Sequence, residues 1–126
     1  MTLTVVAAVV ERGGRFLVTR RQPGVHLEGW WEFPGGKCET GETHDACLRR
    51  ELDEELGIEA RVGRLILDTS HRYADRTVRL YFYRCEIHSD PRPLLKQEIK
   101  WATRPELREL EFPPADAELI QFLQDA

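Results

Sequence analysis

The segment that most constrains the fold runs from Phe33 to Gly57 and joins a glycine-rich turn to an amphipathic helix. Thr43 is placed to cap the helix N-terminus and Gly57 to end it, which predicts a helix of about four turns. One face of this helix carries a leucine at every fourth position, namely Leu48, Leu52 and Leu56. That spacing is typical of a stripe buried against a core.

The opposite face of the predicted helix carries three glutamates, Glu51, Glu54 and Glu55. At about 100° per residue, the three side chains fall within an arc of about 100°, so their carboxylates converge. Taken alone, such a face is most often solvated surface. The preceding turn, Phe33–Lys37, changes this interpretation, because its backbone can approach a small ligand closely. Carboxylates with a backbone carbonyl are ligands suited to Mg²⁺ or Mn²⁺, so the segment predicts a divalent metal site.

Strands are predicted on both sides of the helix from β-branched and alternating residues. The first two form a predicted hairpin, Thr4–Val10 with Arg15–Arg21, and Trp31–Phe33 runs into a sharp bend at Pro34-Gly35-Gly36. Later strands are predicted at Ile58–Thr69, Thr77–Ile87 and Ile99–Thr103. Short helices follow Pro105 and Pro113-Pro114, the last over Asp116–Leu123. The pattern predicts one α+β domain over residues 1–126.

The charge of the chain restricts its partners. The net charge of −4 gives no general attraction to nucleic acid or to an anionic membrane. No apolar run reaches the about 18 residues of a membrane span. Three cysteines without a metal-binding spacing indicate reduced thiols and a cytoplasmic setting. Phosphates would therefore be bound locally, by a metal or by a few arginines.

The segment Gly36–Ile58 resembles the Nudix box, G-x5-E-x7-R-E-U-x-E-E-x-G-U, in which U is an apolar residue. All nine fixed positions of this 23-residue pattern are filled, by Gly36, Glu42, Arg50, Glu51, Leu52, Glu54, Glu55, Gly57 and Ile58. The chain is thus identified as similar to Nudix hydrolases of the MutT-like kind. The resemblance implies a mixed sheet sandwiched between helices (α/β/α).

The resemblance also implies roles within the box. Glu51, Glu54 and Glu55 would bind Mg²⁺ or Mn²⁺, with the carbonyl of Gly35 or Gly36 as a further ligand. Arg50 would orient Glu51 through a charge-assisted hydrogen bond. Glu42 would hold the junction between loop and helix or contact the metal through water.

Similarity to the MutT-like branch continues outside the box and implies a set of substrate contacts. Arg21 would contact phosphate or base, although it is also placed as a solvated strand end. Phe33 or Tyr73 would stack on the base, although both are equally placed as core aromatics. Arg76 would contact the base edge. His26 is either a ligand contact or a surface residue of its loop.

Two departures from the family pattern affect the mechanism and the substrate. Leu95 stands where relatives often carry a downstream glutamate that assists metal or water. Glu98 is the nearby carboxylate, so Glu98 and Glu54 are both candidates for the general base. Asp116 stands where enzymes specific for 8-oxo-dGTP carry asparagine. A carboxylate only accepts hydrogen bonds unless it is protonated, and it therefore favours a base edge rich in N–H groups, such as that of cytosine.

The resemblance implies a metal-dependent pyrophosphohydrolase that cleaves a nucleoside triphosphate to monophosphate and pyrophosphate. The expected role is nucleotide-pool sanitation and DNA repair with an 8-oxo-dGTP-type substrate. The alternative is a CTP, dCTP or 5-methyl-dCTP pyrophosphohydrolase. Further alternatives are a 5′-end RNA pyrophosphohydrolase, an ADP-ribose or diadenosine polyphosphate hydrolase, and a non-catalytic nucleotide-sensing module. We expect a monomer or a homodimer without stable nucleic-acid binding.

Overall fold

The computed structural model describes residues 1–25 and 27–125. Its strands are β1 (Thr2–Val9), β2 (Glu11–Arg12), β3 (Arg15–Arg20), β4 (Trp31–Glu32), β5 (Gly35–Lys37), β6 (Ala60–Arg72), β7 (Thr77–Ile87) and β8 (Glu98–Thr103). Its helices are α1 (His44–Leu56), α2 (Arg104–Glu109) and α3 (Ala117–Asp125), with a short 3-10 turn at Pro114–Asp116. The predicted α+β organisation is confirmed, with element boundaries shifted by a few residues.

The strands form two sheets. The first has the order β5-β1-β7-β6 and is mixed, because β1 runs parallel to β7 but antiparallel to β5. The second is antiparallel and is built around β3, which pairs with β2, β4 and β8. Two sheets rather than one therefore lie between the helices.

The predicted hairpin has the wrong partner. Strand β1 does not pair with β3 but lies in the other sheet, between β5 and β7. The two residues of β2, Glu11 and Arg12, form the hairpin with β3 instead. After Val10 the chain passes from one sheet to the other, so the apolar run and its apparent partner lie in different sheets.

Helix α1 begins and ends as predicted. The Thr43 hydroxyl accepts a hydrogen bond from the Ala46 N–H at 3.1 Å. Gly57 adopts a left-handed φ of 63° and donates its N–H to the Asp53 carbonyl at 2.9 Å. The leucine stripe of α1 is fully buried. Its other face is left free for the glutamates.

The glycine segment is straighter than predicted. The bend falls at Pro34, and Gly35–Lys37 forms strand β5 along β1. A Cβ atom at Gly35 would collide with the Val6 carbonyl. Glycine is required here because, at its φ of 159°, a side chain would be directed into the backbone of β1.

Two hydrophobic cores lie on opposite faces of the first sheet. Val6 and Ala8 of β1 pack with α1, whereas Ala7 and Val9 pack with α2 and α3. This alternation is the pattern of a strand covered on both faces. Within residues 1–25 and 27–125, no helix is long and apolar enough to cross a membrane.

Candidate functional site

Arg50 lies at the centre of the junction between β5 and α1. It donates to both carboxylate oxygens of Glu42, at 2.6 and 2.9 Å, and to Glu51 at 3.0 Å. The hydrogen bonds from Arg50 and from the backbone N–H of Glu39 lower the pKa of Glu42 to about 2. Glu42 is thus held as a carboxylate at the loop–helix junction, and Arg50 fixes the direction of the Glu51 side chain.

Glu51 and Glu55 face the glycine strand β5. A Cβ atom at Gly36 would overlap the carboxylate of Glu51, so glycine makes room for it. The backbone of Gly35 hydrogen-bonds the carboxylate of Glu55. Burial raises the pKa of Glu55, and so do its hydrogen bond with Glu51 and the nearby charges of Glu51 and Glu32. Crowded carboxylates of this kind are stabilised by a cation.

The register of β5 indicates which glycine carbonyl is available. Ala8 and Cys38 donate across the β1–β5 pair to Pro34 and Thr4, at 2.8 and 2.9 Å. In an antiparallel ladder this places the polar backbone groups of Gly36 toward β1 and those of Gly35 away from it. The Gly35 carbonyl, rather than that of Gly36, therefore faces the side where Glu55 lies.

Glu54 is the most exposed of the three predicted glutamates. Its side chain is 58% exposed and lies 3.3 Å from Arg50. Across the described residues, no group of three or more His, Cys, Asp or Glu side chains is arranged to hold a metal ion. The Nη1 atom of Arg50 contacts both Glu51, at 3.0 Å, and Glu54, at 3.3 Å, whereas Glu55 lies on the side of Gly35.

Glu32 joins this acidic group, although the sequence did not identify it. It accepts a hydrogen bond from Arg21 at 2.6 Å. Burial nevertheless raises the pKa of Glu32, and the charge of Glu51 adds to the shift. The sequence did contain a signal for Glu32, because this residue stands between two buried aromatic residues, Trp31 and Phe33. A charged side chain in such a place must point toward a cavity or a partner.

A cavity of about 220 Å³ adjoins these carboxylates, and we call it the glutamate cavity. Its wall includes Arg21, Glu32, Gly35, Glu55 and Gln97. It is therefore lined by the two glutamates of raised pKa together with two arginines, Arg20 and Arg21.

Glu98, the downstream candidate for the general base, points elsewhere. It is 60% exposed and pairs with Arg20 at 3.4 Å. With Lys96 it lines an adjoining cavity, which shares Arg20, Arg21 and Gln22 with the glutamate cavity. Its neighbour Gln97 reaches the glutamate cavity instead and donates to the main-chain carbonyl of Glu55 at 2.9 Å. Sequence reasoning missed Gln97, because the contact joins positions 42 residues apart and has no local pattern.

A second cavity has a volume of about 240 Å³, and we call it the base cavity. Five residues that were predicted to bind the substrate line it. These are Arg21, Phe33, Tyr73, Arg76 and Asp116. It shares Arg21, Glu32 and Gly35 with the glutamate cavity. The Arg21–Glu32 pair thus stands where the two cavities meet. His26 lies outside the described residues.

The two aromatic residues of the base cavity are not equivalent. Phe33 is 4% exposed, and its ring is stacked on Phe112 with centroids 5.4 Å apart. Tyr73 is half-buried in the turn between β6 and β7 and contacts His71 edge-on at 4.7 Å. Phe33 is thus mainly a core residue that reaches the cavity wall, whereas Tyr73 forms the rim.

Two buried polar groups lie in the wall of the base cavity. Within the described part of the chain, Arg76 Nε is buried and has no hydrogen-bond partner. Asp116 is 6% exposed, and burial, followed by the charge of Glu32, raises its pKa to about 7. A buried polar atom without a partner is rare and costs free energy, so its presence at a cavity favours a polar ligand.

Comparison with known proteins places these features in context. Residues 5–122 match the NUDIX domain family. The CTP pyrophosphohydrolase of Escherichia coli (strain K12) is 34% identical and covers 94% of this chain and 89% of its own length. A putative 8-oxo-dGTP diphosphatase 2 of Mycobacterium tuberculosis (strain ATCC 25618 / H37Rv) is 38% identical, over 89% of this chain and 81% of its own.

Solved structures agree with the fold. The solution structure of the E. coli ORF135 protein superimposes with a TM-score of 0.84 at 33% identity, covering 95% of this chain and 86% of that one. The crystal structure of a MutT protein from Methanosarcina mazei Go1 has a TM-score of 0.88 at 21% identity, covering 98% and 94%. The second likeness concerns the fold alone.

Proposed function

This chain belongs to the NUDIX domain family of hydrolases acting on phosphorus anhydrides, and from that premise we propose that it cleaves a nucleoside triphosphate to the monophosphate and pyrophosphate. The observation that carries the proposal is the junction of two cavities at Arg21 and Glu32. A crowded group of carboxylates lies on one side of this junction. A cavity with buried polar groups lies on the other.

Nudix hydrolases generally use divalent metals, and the donors at the glutamate cavity fit one. We assign a Mg²⁺ or Mn²⁺ ion to Glu51 and Glu55, with the Gly35 carbonyl and with Glu54 after rotation from Arg50. All are hard oxygen donors, and the raised pKa of Glu55 indicates a site that lacks positive charge. When bound, the ion would neutralise phosphate charge and lower the pKa of an attacking water.

The chain's own residues would orient the substrate around that site. Arg50 keeps Glu51 in place, and Arg21 lies between the cavities where a phosphate of a bound nucleotide would pass. Arg76 Nε and the Asp116 carboxyl would bind the base edge, with Tyr73 against the ring. Glu54 is the general base we favour, because it shares the Nη1 atom of Arg50 with Glu51 beside the proposed ion, whereas Glu98 is paired with Arg20.

The base is proposed to be an oxidised guanine, as in 8-oxo-dGTP, which gives the enzyme a role in sanitising the nucleotide pool. A pKa of about 7 allows Asp116 to be protonated, so that the carboxyl both donates and accepts, as a guanine edge requires. The ionised form instead suits the amine of cytosine. The second candidate function is therefore hydrolysis of CTP, dCTP or 5-methyl-dCTP.

A panel of canonical, oxidised and methylated triphosphates tests the proposal, with products resolved by chromatography. We expect pyrophosphate and a monophosphate from one base class, and no turnover after chelation of divalent metal. Binding without turnover across the panel would make the chain a nucleotide sensor. If the protein instead prefers 5′-triphosphorylated RNA to free nucleotides, it is a 5′-end RNA pyrophosphohydrolase.

We propose further that residues 1–126 form a single domain acting in the cytoplasm as a monomer or homodimer. Light scattering after size exclusion measures the assembly state. One species of either mass agrees with this proposal, and a larger assembly contradicts it.

A further inference from the structure

The C-terminal end of α1 is closed by a distant segment, residues 92–97. The last carbonyls of a helix have no partner within the helix. Here the Leu56 carbonyl accepts the Arg92 N–H at 2.8 Å. The Glu55 carbonyl accepts two donors, the Leu94 N–H at 3.2 Å and the Gln97 side-chain amide at 2.9 Å. The end of the helix that bears Glu55 is thus fixed by this segment.

Gln97 is the buried residue of that segment, at 9% exposure, and both ends of its amide are used. Its oxygen accepts the Leu95 N–H at 3.0 Å while its nitrogen donates to Glu55. The Leu95 carbonyl in turn accepts from the Gln22 side chain. Gln97 therefore links the main chain of Glu55 to the rim of the glutamate cavity, which Leu95 and Gln22 also line.

The Gln97 amide makes the shorter of the two hydrogen bonds to the Glu55 carbonyl. The Leu94 N–H is shared between the Arg92 carbonyl, at 2.8 Å, and the Glu55 carbonyl, at 3.2 Å. What the amide adds is a restriction on where the Glu55 residue lies relative to β5. The position of the Glu55 main chain matters because its side chain lines the glutamate cavity beside Gly35, next to the Glu51 carboxylate that occupies the space at Gly36.

We propose that Gln97 is a positioning residue for Glu55: its amide fixes the Glu55 main chain so that the carboxylate stays beside Glu51 and against Gly35. The inference rests on the proposed function, in which Glu55 is a metal ligand. Groups that orient metal ligands typically change metal affinity or activity about 10- to 100-fold when removed.

The test replaces Gln97 with methionine, which has a similar size and no amide. Gln124→Met is the matched control, because the Gln124 amide also donates to a main-chain carbonyl, that of Arg104, at 2.9 Å in a half-buried setting. We expect Gln97→Met to weaken Mn²⁺ binding about tenfold and to lower kcat about tenfold with little change in KM. Mn²⁺ binding is measured without nucleotide, by electron paramagnetic resonance. Gln124→Met should change neither quantity.

Gln97→Leu is the second variant, because leucine also lacks the amide and adds no charge to the wall of the glutamate cavity. It should show the same losses as Gln97→Met, which keeps the test decisive if one variant does not fold. If a folded Gln97 variant keeps the wild-type Mn²⁺ affinity and kcat, the positioning role is overturned and Gln97 only caps the helix. Failure of the wild-type protein both to bind Mn²⁺ and to hydrolyse any triphosphate would overturn the proposed function first, and the positioning role with it.

Discussion

The glutamate cavity and the base cavity meet at Arg21 and Glu32 but are built in different ways. The acidic group beside the first draws Arg50, Glu51 and Glu55 from one helix. The second is assembled from β4, the turn between β6 and β7, and the 3-10 turn before α3. Local sequence spacing therefore specifies most of the acidic group at the glutamate cavity. The base cavity depends instead on long-range packing of several elements.

The two cavities also differ in how their polar groups are satisfied. At the glutamate end, Arg50 binds Glu42 and Glu51, and the Gly35 backbone binds Glu55. At the base end, Arg76 Nε has no partner within the described residues. Changes at the glutamate end should therefore slow every substrate alike, whereas changes at the base end should alter the ranking of substrates.

The largest expected effect is that of Glu55→Gln. The amide keeps the shape of the side chain and removes a charge from the proposed metal site, so kcat/KM should fall at least about a hundredfold for every triphosphate. Steady-state kinetics over the substrate panel measures this. Asp53→Asn, on an exposed position of the same helix, is the control and should keep wild-type rates. A loss confined to one base would contradict the division between the cavities.

Arg50→Lys should have the next largest effect. A lysine cannot bind Glu42 with two parallel hydrogen bonds while holding Glu51, so kcat should fall roughly 10- to 100-fold for all substrates. Arg49→Lys is the control, because Arg49 is exposed and binds only Asp45, at 2.7 Å, among the contacts of the described residues. Equal kinetics of the two variants would show that the bidentate bond is dispensable.

Asp116→Asn should change substrate choice rather than rate. The amide both donates and accepts at any pH, whereas a carboxyl with a pKa of about 7 is mostly ionised at about pH 8. At that pH the ratio of kcat/KM for 8-oxo-dGTP to that for dCTP should therefore rise about tenfold. Competition between the two triphosphates in one reaction measures this ratio. Asp125→Asn, an exposed position at the end of α3, should leave it unchanged. An unchanged ratio in Asp116→Asn would remove this residue from base reading.

The last prediction concerns the pH dependence of stability and not the rate of hydrolysis. The pKa of Asp116 is raised from 3.8 to about 7 in the folded state, so between these values the folded protein binds a proton that the unfolded chain has released. Stability should therefore fall as pH rises through this range, by at most about 1.4 kcal/mol per pH unit from this group. Asp116→Asn should flatten this slope.

Urea unfolding of the wild-type protein and of Asp116→Asn at several pH values between about 4 and 8 measures the difference. Because other carboxyl groups titrate in both proteins, their contributions cancel in the comparison. Parallel stability profiles would show that Asp116 is ionised in the folded state throughout this range.

The sequence predicted correctly those features that depend on neighbouring residues, and it failed for the pairing of β-strands. The caps of α1 and its leucine stripe are fixed by neighbours within one helix, and the structure places them as predicted. The pairing of β1 was wrong, because a run of apolar residues does not specify which of several strands lies beside it. Gln97 and Glu32 were missed for the same reason, since their partners lie far along the chain or in another element.

By itself the sequence determined the helix, its glutamates and the family, because the spacing of a helix places residues three and four apart on one face. Tertiary structure decided which carboxylates meet. It brought Glu32 beside Glu51 and Glu55, and turned Glu54 toward Arg50. It also buried Asp116 in the wall of the base cavity, and that burial raises its pKa to about 7. Burial and long-range charge depend on the whole fold, and no local pattern contains them.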